Sequence, residues 1–281
     1  MTDLQQHRML FIGGGNMAQA LIGGLLAQGV ASSQFMVADP STAIQQYFNE
    51  KNIATTSQAT DFIDQADVIV LAIKPQVLAQ VLSPLHGKLK QQLIISVVAG
   101  AKISSIAQLL GDHQRIVRVM PNTPALLQMG ASGAFAADAV SESEKQLTLQ
   151  ILQATGLAIW VQNEQQIDAV TALSGSGPAY FFYMIEAMIK AGTDLGLDIE
   201  TAKALALQTA TGASMMAQQS EFDVAELRRR VTSPNGTTQA AIESFDQQHI
   251  AQHIAQGMQA AYQRSGELAV ELEQQFKADL G

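Results

Sequence analysis

A glycine-rich segment near the N-terminus constrains the fold of this chain more than any other feature. The chain reads Phe11-Ile12-Gly13-Gly14-Gly15-Asn16-Met17-Ala18, a G-x-G-x-x-A pattern that follows a short apolar run and opens a helical segment. Gly13 permits a tight turn, Gly15 lets the backbone approach a pyrophosphate, and Ala18 lets the helix pack closely on the preceding strand. Because the helix N-terminus then faces the phosphates, the segment predicts a parallel α/β sheet that binds a dinucleotide.

Short apolar runs recur through the first half of the chain. They are continuous rather than alternating, which is typical of strands buried on both faces, and amphipathic segments separate them. The runs comprise residues 9–12, 35–38, 68–73, 93–98, 116–120, 131–136 and 158–161. The spacing of Ser141 and Glu144 indicates a capped helix between the last two runs. This order predicts a doubly wound, Rossmann-like sheet that ends near residue 161.

The second half of the chain has helical patterns throughout. They cover residues 179–195, 199–219, 224–230 and 237–245, with a final stretch through residue 277. We therefore predict an α/β dinucleotide-binding domain at residues 1–162 and an all-helical dimerisation and substrate domain at residues 163–281. These helices are rich in small and flexible apolar residues and carry few charges, which favours burial against another subunit. We expect an obligate homo-oligomer.

Composition and charge exclude several functions. The 281 residues include 16 basic and 25 acidic side chains, and the net charge of -9 repels nucleic acid and anionic membranes. The absence of cysteine excludes disulfides, thiolate nucleophiles and cysteine-bound metals. No apolar run is long enough to span a membrane, and no basic segment followed by a long apolar one marks an export signal. We expect a cytoplasmic protein with neither a nucleic-acid nor a membrane partner.

Asp39 bears on the choice of coenzyme. It ends the second predicted strand, about 20 residues after Ala18, where the ribose hydroxyls of a dinucleotide are expected. A carboxylate there accepts hydrogen bonds from NADH and repels the 2′-phosphate of NADPH. Against this, the hydroxyls of Ser41 and Thr42 offer a phosphate site without a cation. Asp39 or Ser41 fits the cap of the next helix equally well, so the residues leave both questions open.

Residues with a predicted ligand role also follow two later strands. Ile73 and Lys74 end one strand, and the small residues Ala99 and Gly100 follow the next. Open α/β sheets bind ligands at the carboxyl ends of their strands, where Lys74 can reach a ribose or a phosphate. A solvated loop lysine is the alternative. The small residues would let a nicotinamide lie against the backbone.

Two loops of the helical half have an unusual composition. Residues 173–180 begin a helix with hydroxyls, glycines and a proline, which suits either an anion site or a well-capped helix start. Residues 231–238 open another helix with hydroxyl side chains and no carboxylate, which suits a small carboxylate ligand. His249 and His253 are spaced as on one helical face, but no third ligand is evident, so we expect no metal site.

Taken together, these motifs resemble the pyrroline-5-carboxylate reductase family. The match runs in order from about residue 9 to about residue 272, and residues 120–124, 174–180 and 233–238 are its most specific segments. The resemblance implies NAD(P)H-dependent reduction of the cyclic imine 1-pyrroline-5-carboxylate to L-proline, the last step of proline biosynthesis. It also implies a homodimer with interlocked helical domains, often assembled further into a homodecamer of five dimers.

The resemblance assigns site residues by position. In addition to Asp39, cofactor contacts are implied at Gly13, Gly15, Asn16, Met17, Ala18, Ser57, Ile73, Lys74 and Ala99. Substrate contacts are implied at Glu164, Thr237 and Thr238, with Thr238 as the catalytic residue that hydrogen-bonds the ring nitrogen. Backbone N–H groups of Gly236, Thr237 and Thr238 would hold the substrate carboxylate.

Two positions in the last loop depart from the family pattern. Asn235 stands where relatives commonly have glycine; asparagine tolerates positive φ, so we expect the loop to keep its shape. Arg230 replaces a shorter polar residue of some relatives, which leaves its role open. The coenzyme is open as well, since the family usually favours NADPH and Asp39 favours NADH.

Two other functions fit less of the sequence. A reductase of the β-hydroxyacid dehydrogenase type also joins such a sheet to helices, but it relies on a lysine, for which only Lys190 lies suitably near a glycine-rich motif. A dinucleotide-sensing protein without turnover would have no use for the loops of the helical half.

Overall fold

A computed structural model describes residues 3–280 of the chain. The chain forms two compact units: residues up to Ser176 join those from Ala261 onward, and Gly177–Ala260 forms the second unit. The first unit thus extends past the domain boundary predicted at residue 162. It does so because the segments that follow the sheet, up to Ser176, pack on the strands rather than on the later helices.

An eight-stranded sheet forms the centre of the first unit. Its strands lie in the order β3-β2-β1-β4-β5-β6-β7-β8, which is that of a doubly wound fold extended at one edge. The strands are β1 (Met9–Ile12), β2 (Phe35–Ala38), β3 (Ala54–Thr56), β4 (Val68–Leu71), β5 (Leu93–Ser96), β6 (Ile116–Met120), β7 (Gly130–Ala136) and β8 (Gly156–Trp160). The predicted Rossmann-like sheet is confirmed.

The structure differs from the sequence reading at two places in the sheet. The apolar runs missed β3, because this short edge strand is half exposed and two of its three residues are threonine. The strand β7 runs antiparallel to β6 rather than parallel. Only a short 3₁₀ segment, Thr123–Leu127, separates them, which is less chain than a parallel crossover needs.

Helices cover both faces of the sheet. They are α1 (Asn16–Ala27), α2 (Thr42–Asn49), α3 (Leu78–Leu82), α4 (Ile103–Leu109), α5 (Glu142–Gln153) and α6 (Gln166–Val170). The predicted capping box is present at α5, where the Ser141 side chain accepts from the Glu144 backbone N–H and the Glu144 side chain accepts from the Ser141 N–H. One core cluster contains Phe11 and Leu21, and the other contains Leu10, Leu272 and Phe276.

The second unit is helical in all its regular elements. It contains α7 (Gly177–Asp194), α8 (Ile199–Gln219), α9 (Val224–Arg230), α10 (Thr237–Gln247) and the first turns of α11 (Ile250–Leu280). Large apolar side chains lie exposed on α7, where Phe181, Phe182 and Tyr183 are 64–75% accessible. Exposure of this size is typical of a surface that another subunit covers.

The structure also bears on the sequence expectations for the two histidines, for metal binding and for membrane spans. His249 does not share a helical face with His253, because it precedes α11 with φ of 55°. Within residues 3–280, no group of three or more His, Asp and Glu side chains is arranged to hold a metal ion. No helix in that range is both long and apolar enough to cross a membrane.

Candidate active site

The glycine-rich turn between β1 and α1 leaves no room for a side chain at its first position. Gly13 has φ of 93°, and a Cβ there would lie 2.5 Å from the Ala72 carbonyl oxygen. The Gly13 N–H donates to the Ala38 carbonyl oxygen at 2.8 Å. Only glycine satisfies both the backbone conformation and the close approach, so the turn is fixed between β2 and β4.

Gly15 is different, because nothing in the protein lies within 4 Å of where its Cβ would be. Its φ of -69° and ψ of -171° are open to any residue, and it occupies the N-cap of α1 without a side-chain cap. The first N–H groups of α1 have no intrahelical acceptor and form an anion-binding helix start. Ala18 is fully buried beneath them, as its predicted packing role requires.

A cavity of about 600 Å³ opens beside this helix start. Six of the predicted cofactor residues line it: Gly13, Gly15, Asp39, Ser57, Ile73 and Lys74. Its size suits a small-molecule ligand, and the open space at Gly15 suits a pyrophosphate, so the residues fit a dinucleotide. Asn16 and Met17 occupy the first turn of α1 and Ala99 is exposed after β5, all three outside the cavity lining.

Asp39 ties the glycine-rich turn to the end of β2. Its Oδ2 accepts a hydrogen bond from the Gly14 N–H at 2.8 Å, and its Oδ1 accepts one from the Ser41 N–H at 2.9 Å. Ser41 occupies the N-cap of α2 but makes no side-chain cap. The carboxylate is therefore fixed at the cavity wall, and each oxygen keeps acceptor capacity toward a ribose hydroxyl.

Two of the family-like motifs meet within the first unit. The Asn122 side chain donates to the Ser174 carbonyl oxygen at 3.0 Å and accepts from the Ala131 N–H at 2.9 Å. Ser174 lies in a π-helical segment, Thr171–Gly175, of the kind often found at functional sites. A Cβ on Gly175 would lie 2.6 Å from the Met120 methyl carbon. The two motifs thus shape each other at the end of β6.

A charged cluster that the sequence reading missed surrounds Glu164. The Glu164 Oε1 atom accepts from the Ile103 N–H at 2.8 Å and from Arg118 Nη1 at 3.1 Å. Arg118 Nη2 lies 3.5 Å from Asp168 Oδ1, which also accepts from the Ser265 hydroxyl at 2.8 Å. The sequence feature that could have predicted this cluster is the arginine within the apolar run of β6, since a buried charge needs a partner.

The loop before α10 has the predicted backbone conformation. Asn235 has φ of 58°, so it does replace glycine at a positive-φ position. Its N–H donates to Gln239 Oε1 at 2.7 Å, and the Gly236 N–H donates to the Ser233 carbonyl oxygen at 3.0 Å. The N–H groups of Thr237 and Thr238 begin α10 and have no intrahelical acceptor.

Arg230 is held inside its own unit by two contacts. Its Nε donates to Glu226 Oε1 at 2.7 Å, and its guanidinium carbon lies 3.6 Å from the centroid of the Phe222 ring. Hydrogen bonds from Arg230 and Arg229 lower the pKa of Glu226. The structure thus gives Arg230 the role of bracing α9 against the segment that precedes it.

Lys190, the lysine on which the alternative dehydrogenase hypothesis relies, forms an ion pair within its own helix. Its Nζ lies 2.6 Å from Asp194 Oδ2, four residues along α7, and its side chain is mostly exposed. The Lys190 ammonium is thus already paired with a carboxylate of the same helix.

Family models match both halves of the chain. Residues 164–268 match a model described as pyrroline-5-carboxylate reductase dimerisation. Residues 8–100 match one described as NADP oxidoreductase, coenzyme F420-dependent.

Individual relatives match over nearly the whole chain. A pyrroline-5-carboxylate reductase of Pseudomonas aeruginosa is 50% identical over 269 residues, covering 95% of this chain and 98% of the relative. The solved structure of a pyrroline-5-carboxylate reductase from Coxiella burnetii has a TM-score of 0.89 at 40% identity, covering 93% of this chain and 98% of its own. That of a Plasmodium falciparum pyrroline carboxylate reductase with NADP bound has a TM-score of 0.83 at 28% identity, covering 94% and 99%.

Proposed function

The chain belongs to the pyrroline-5-carboxylate reductase family, and on that premise we propose how its own residues bring about the reduction of 1-pyrroline-5-carboxylate to L-proline. This NAD(P)H-dependent reaction is the last step of proline biosynthesis. The observation that carries the proposal is the cavity beside Gly15, whose open backbone and free helix start accept a pyrophosphate.

The reaction demands little acid–base chemistry from the protein. A protonated cyclic imine is already electrophilic, and the bound reduced nicotinamide supplies the hydride that converts its C=N bond to CH–NH. The protein has to orient the imine and exclude water. This requirement agrees with binding loops that are rich in glycine and hydroxyl side chains and poor in acids and bases.

We assign the substrate carboxylate to the N–H groups of Thr237 and Thr238. The Gly236 N–H, expected from the sequence as a third donor, already donates to Ser233, so we narrow the set to two. The Thr238 hydroxyl makes no hydrogen bond to any residue from 3 to 280, which leaves it free to hold the ring nitrogen. Glu164 remains the proposed substrate contact of the first unit.

For the coenzyme we propose that this chain uses NADH as well as NADPH. An NADP-binding relative supports the family's use of NADPH. Asp39 supports NADH, because its carboxylate is fixed at the cavity wall by two backbone N–H groups and cannot swing away from a 2′-phosphate. Among the residues that the structure describes, Lys74 is the one basic residue in the lining of this cavity. Lys74 follows β4, which lies two strands away from β2 in the sheet. The ends of β4 and β2 are therefore roughly 10 Å apart by strand spacing.

The variant Asp39→Asn tests the charge on this residue. Asparagine keeps an acceptor for the Gly14 N–H and removes the repulsion, which for two unit charges about 4 Å apart is worth from about 1 kcal/mol in water to about 4 kcal/mol at the effective dielectric of a protein surface. We expect the NADPH-to-NADH ratio of kcat/KM to rise roughly tenfold. Initial rates with both coenzymes measure it. An unchanged ratio would remove Asp39 from coenzyme selection.

The remaining proposals concern assembly and location. The dimerisation match and the exposed aromatic residues of α7 support a homodimer. A homodecamer and a cytoplasmic location stay predictions. Sedimentation velocity over a range of protein concentrations measures the assembly.

One assay separates the proposed function from its rivals. Purified protein is mixed with 1-pyrroline-5-carboxylate and NADPH or NADH, and the absorbance of the reduced nicotinamide is followed. We expect it to fall as L-proline forms. Coenzyme binding by calorimetry without turnover would instead favour a sensing protein, and a loss of all activity in Lys190→Ala would favour the dehydrogenase reading.

A further inference from the structure

The Arg118 guanidinium occupies a position in the sheet where a charge is costly. It lies in the middle of β6, paired in register with Ser96 of β5 and Phe135 of β7, and its side chain is only 4% exposed. A buried cation is retained only when carboxylates and hydrogen bonds compensate it. Here two carboxylates do so, one at each terminal nitrogen: Glu164 at Nη1 and Asp168 at Nη2.

The two oxygens of Glu164 are used differently. Oε1 accepts both the Arg118 hydrogen bond and the Ile103 N–H, whereas Oε2 has no hydrogen-bond partner among residues 3–280. The side chain is 26% exposed, and no side-chain oxygen among the described residues is both buried and without a partner, so this second oxygen is accessible. One oxygen is therefore anchored, and the other is presented in a fixed direction.

The same cluster restrains the segment that follows β5. The Ile103 N–H begins α4, three residues after Gly100, and donates to Glu164. Lys102 Nζ lies 2.8 Å from Glu273 Oε1 of α11. Ser265 of α11 holds Asp168, so α11 braces both this segment and the cluster.

We propose that Arg118 is a positioning residue that acts through Glu164, by holding Oε1 so that Oε2 faces the cyclic imine. The inference rests on the proposed substrate contact of Glu164. A guanidinium suits this position because its planar fork reaches one carboxylate with each of its two terminal nitrogens, whereas the donors of lysine all lie on one nitrogen. Asp168 and Ser265 fix the fork in turn.

The test is a double-mutant cycle between Arg118→Lys and Glu164→Gln. Arg118→Lys keeps the buried charge but releases one carboxylate, so we expect kcat/KM for the imine to fall about tenfold. In the Glu164→Gln background the same change should cost less than about twofold, because the group that it positions is already impaired. The affinity for L-proline, measured by calorimetry without coenzyme, should follow the same pattern.

Arg115→Lys is the matched control. Arg115 immediately precedes β6, and its Nη2 lies 2.6 Å from Glu144 Oε1, in another partly buried arginine–glutamate pair. We expect it to change thermal stability while kcat/KM stays at the wild-type value. If Arg118→Lys does not fold, Asp168→Asn replaces it, since it frees Nη2 and should show the same loss and the same non-additivity.

The outcomes are distinct. Equal losses from the Arg118 change in the wild-type and Glu164→Gln backgrounds, or a folded variant with unchanged kinetics and proline affinity, would overturn the inference. A wild-type protein that fails to reduce the imine would overturn the proposed function instead.

Discussion

Replacing Gly15 by valine should raise the KM for NADPH and NADH by at least about a hundredfold, equivalent to some 2.7 kcal/mol of lost binding. The side chain would project into the space that a pyrophosphate needs at the start of α1. The fold should tolerate it, because nothing lies within 4 Å of that Cβ and the backbone conformation suits any residue. Coenzyme titration by fluorescence, together with thermal unfolding, measures both effects.

Two other glycines serve as controls for this variant. Gly23 also has nothing within 4 Å of its Cβ, but it lies in the exposed middle of α1, so Gly23→Val should leave coenzyme affinity unchanged. Gly13→Ala should damage the fold itself, because of the positive φ and the Ala72 carbonyl. Wild-type coenzyme affinity in folded Gly15→Val would exclude this helix start as the phosphate site.

Replacing Thr238 by alanine should lower kcat/KM for the imine by about tenfold to a hundredfold, or about 1–3 kcal/mol. The hydroxyl is the group that we assign to the ring nitrogen, and losing it leaves that nitrogen without its oriented partner. Coenzyme affinity and thermal stability should stay near wild type, because the hydroxyl makes no hydrogen bond within residues 3–280. Steady-state kinetics at saturating coenzyme measure the effect.

Conservative variants sharpen the Thr238 prediction. Thr238→Ser keeps the hydroxyl and should recover most of the activity. Thr232→Ala is the matched control in the same loop, because its hydroxyl donates to the Arg228 carbonyl oxygen at 2.7 Å and is engaged within the protein. Unchanged kinetics in Thr238→Ala would remove the hydroxyl from the reaction.

Much of the fold could be predicted because its signals are local. The continuous apolar strands β1, β2 and β6 were predicted to the residue, as were α8 and α9. A continuous apolar run in the strands, or a helical repeat in the helices, specifies each element together with a nearby polar or glycine boundary, without reference to distant residues. The strand β3 lacks such a run, and pairing with β2 decides its conformation.

The positions of two candidate cofactor residues could be predicted in the same way. Asp39 and Lys74 line the cavity because each follows directly after an apolar strand. Arg118 and Ser265 were not predicted, because their partners lie 46 and 97 residues away in sequence. A single sequence does not show which of its distant residues are in contact.

The return of the last turns of α11 to the first unit affects how the protein is made. Leu272 and Phe276 complete the apolar layer that also contains Leu10 and Ile69, and they follow the whole second unit in sequence. One face of the sheet therefore stays partly uncovered until α11 has been synthesised. Cutting the coding sequence just before residue 261 would leave that face permanently open and favour aggregation over a smaller enzyme.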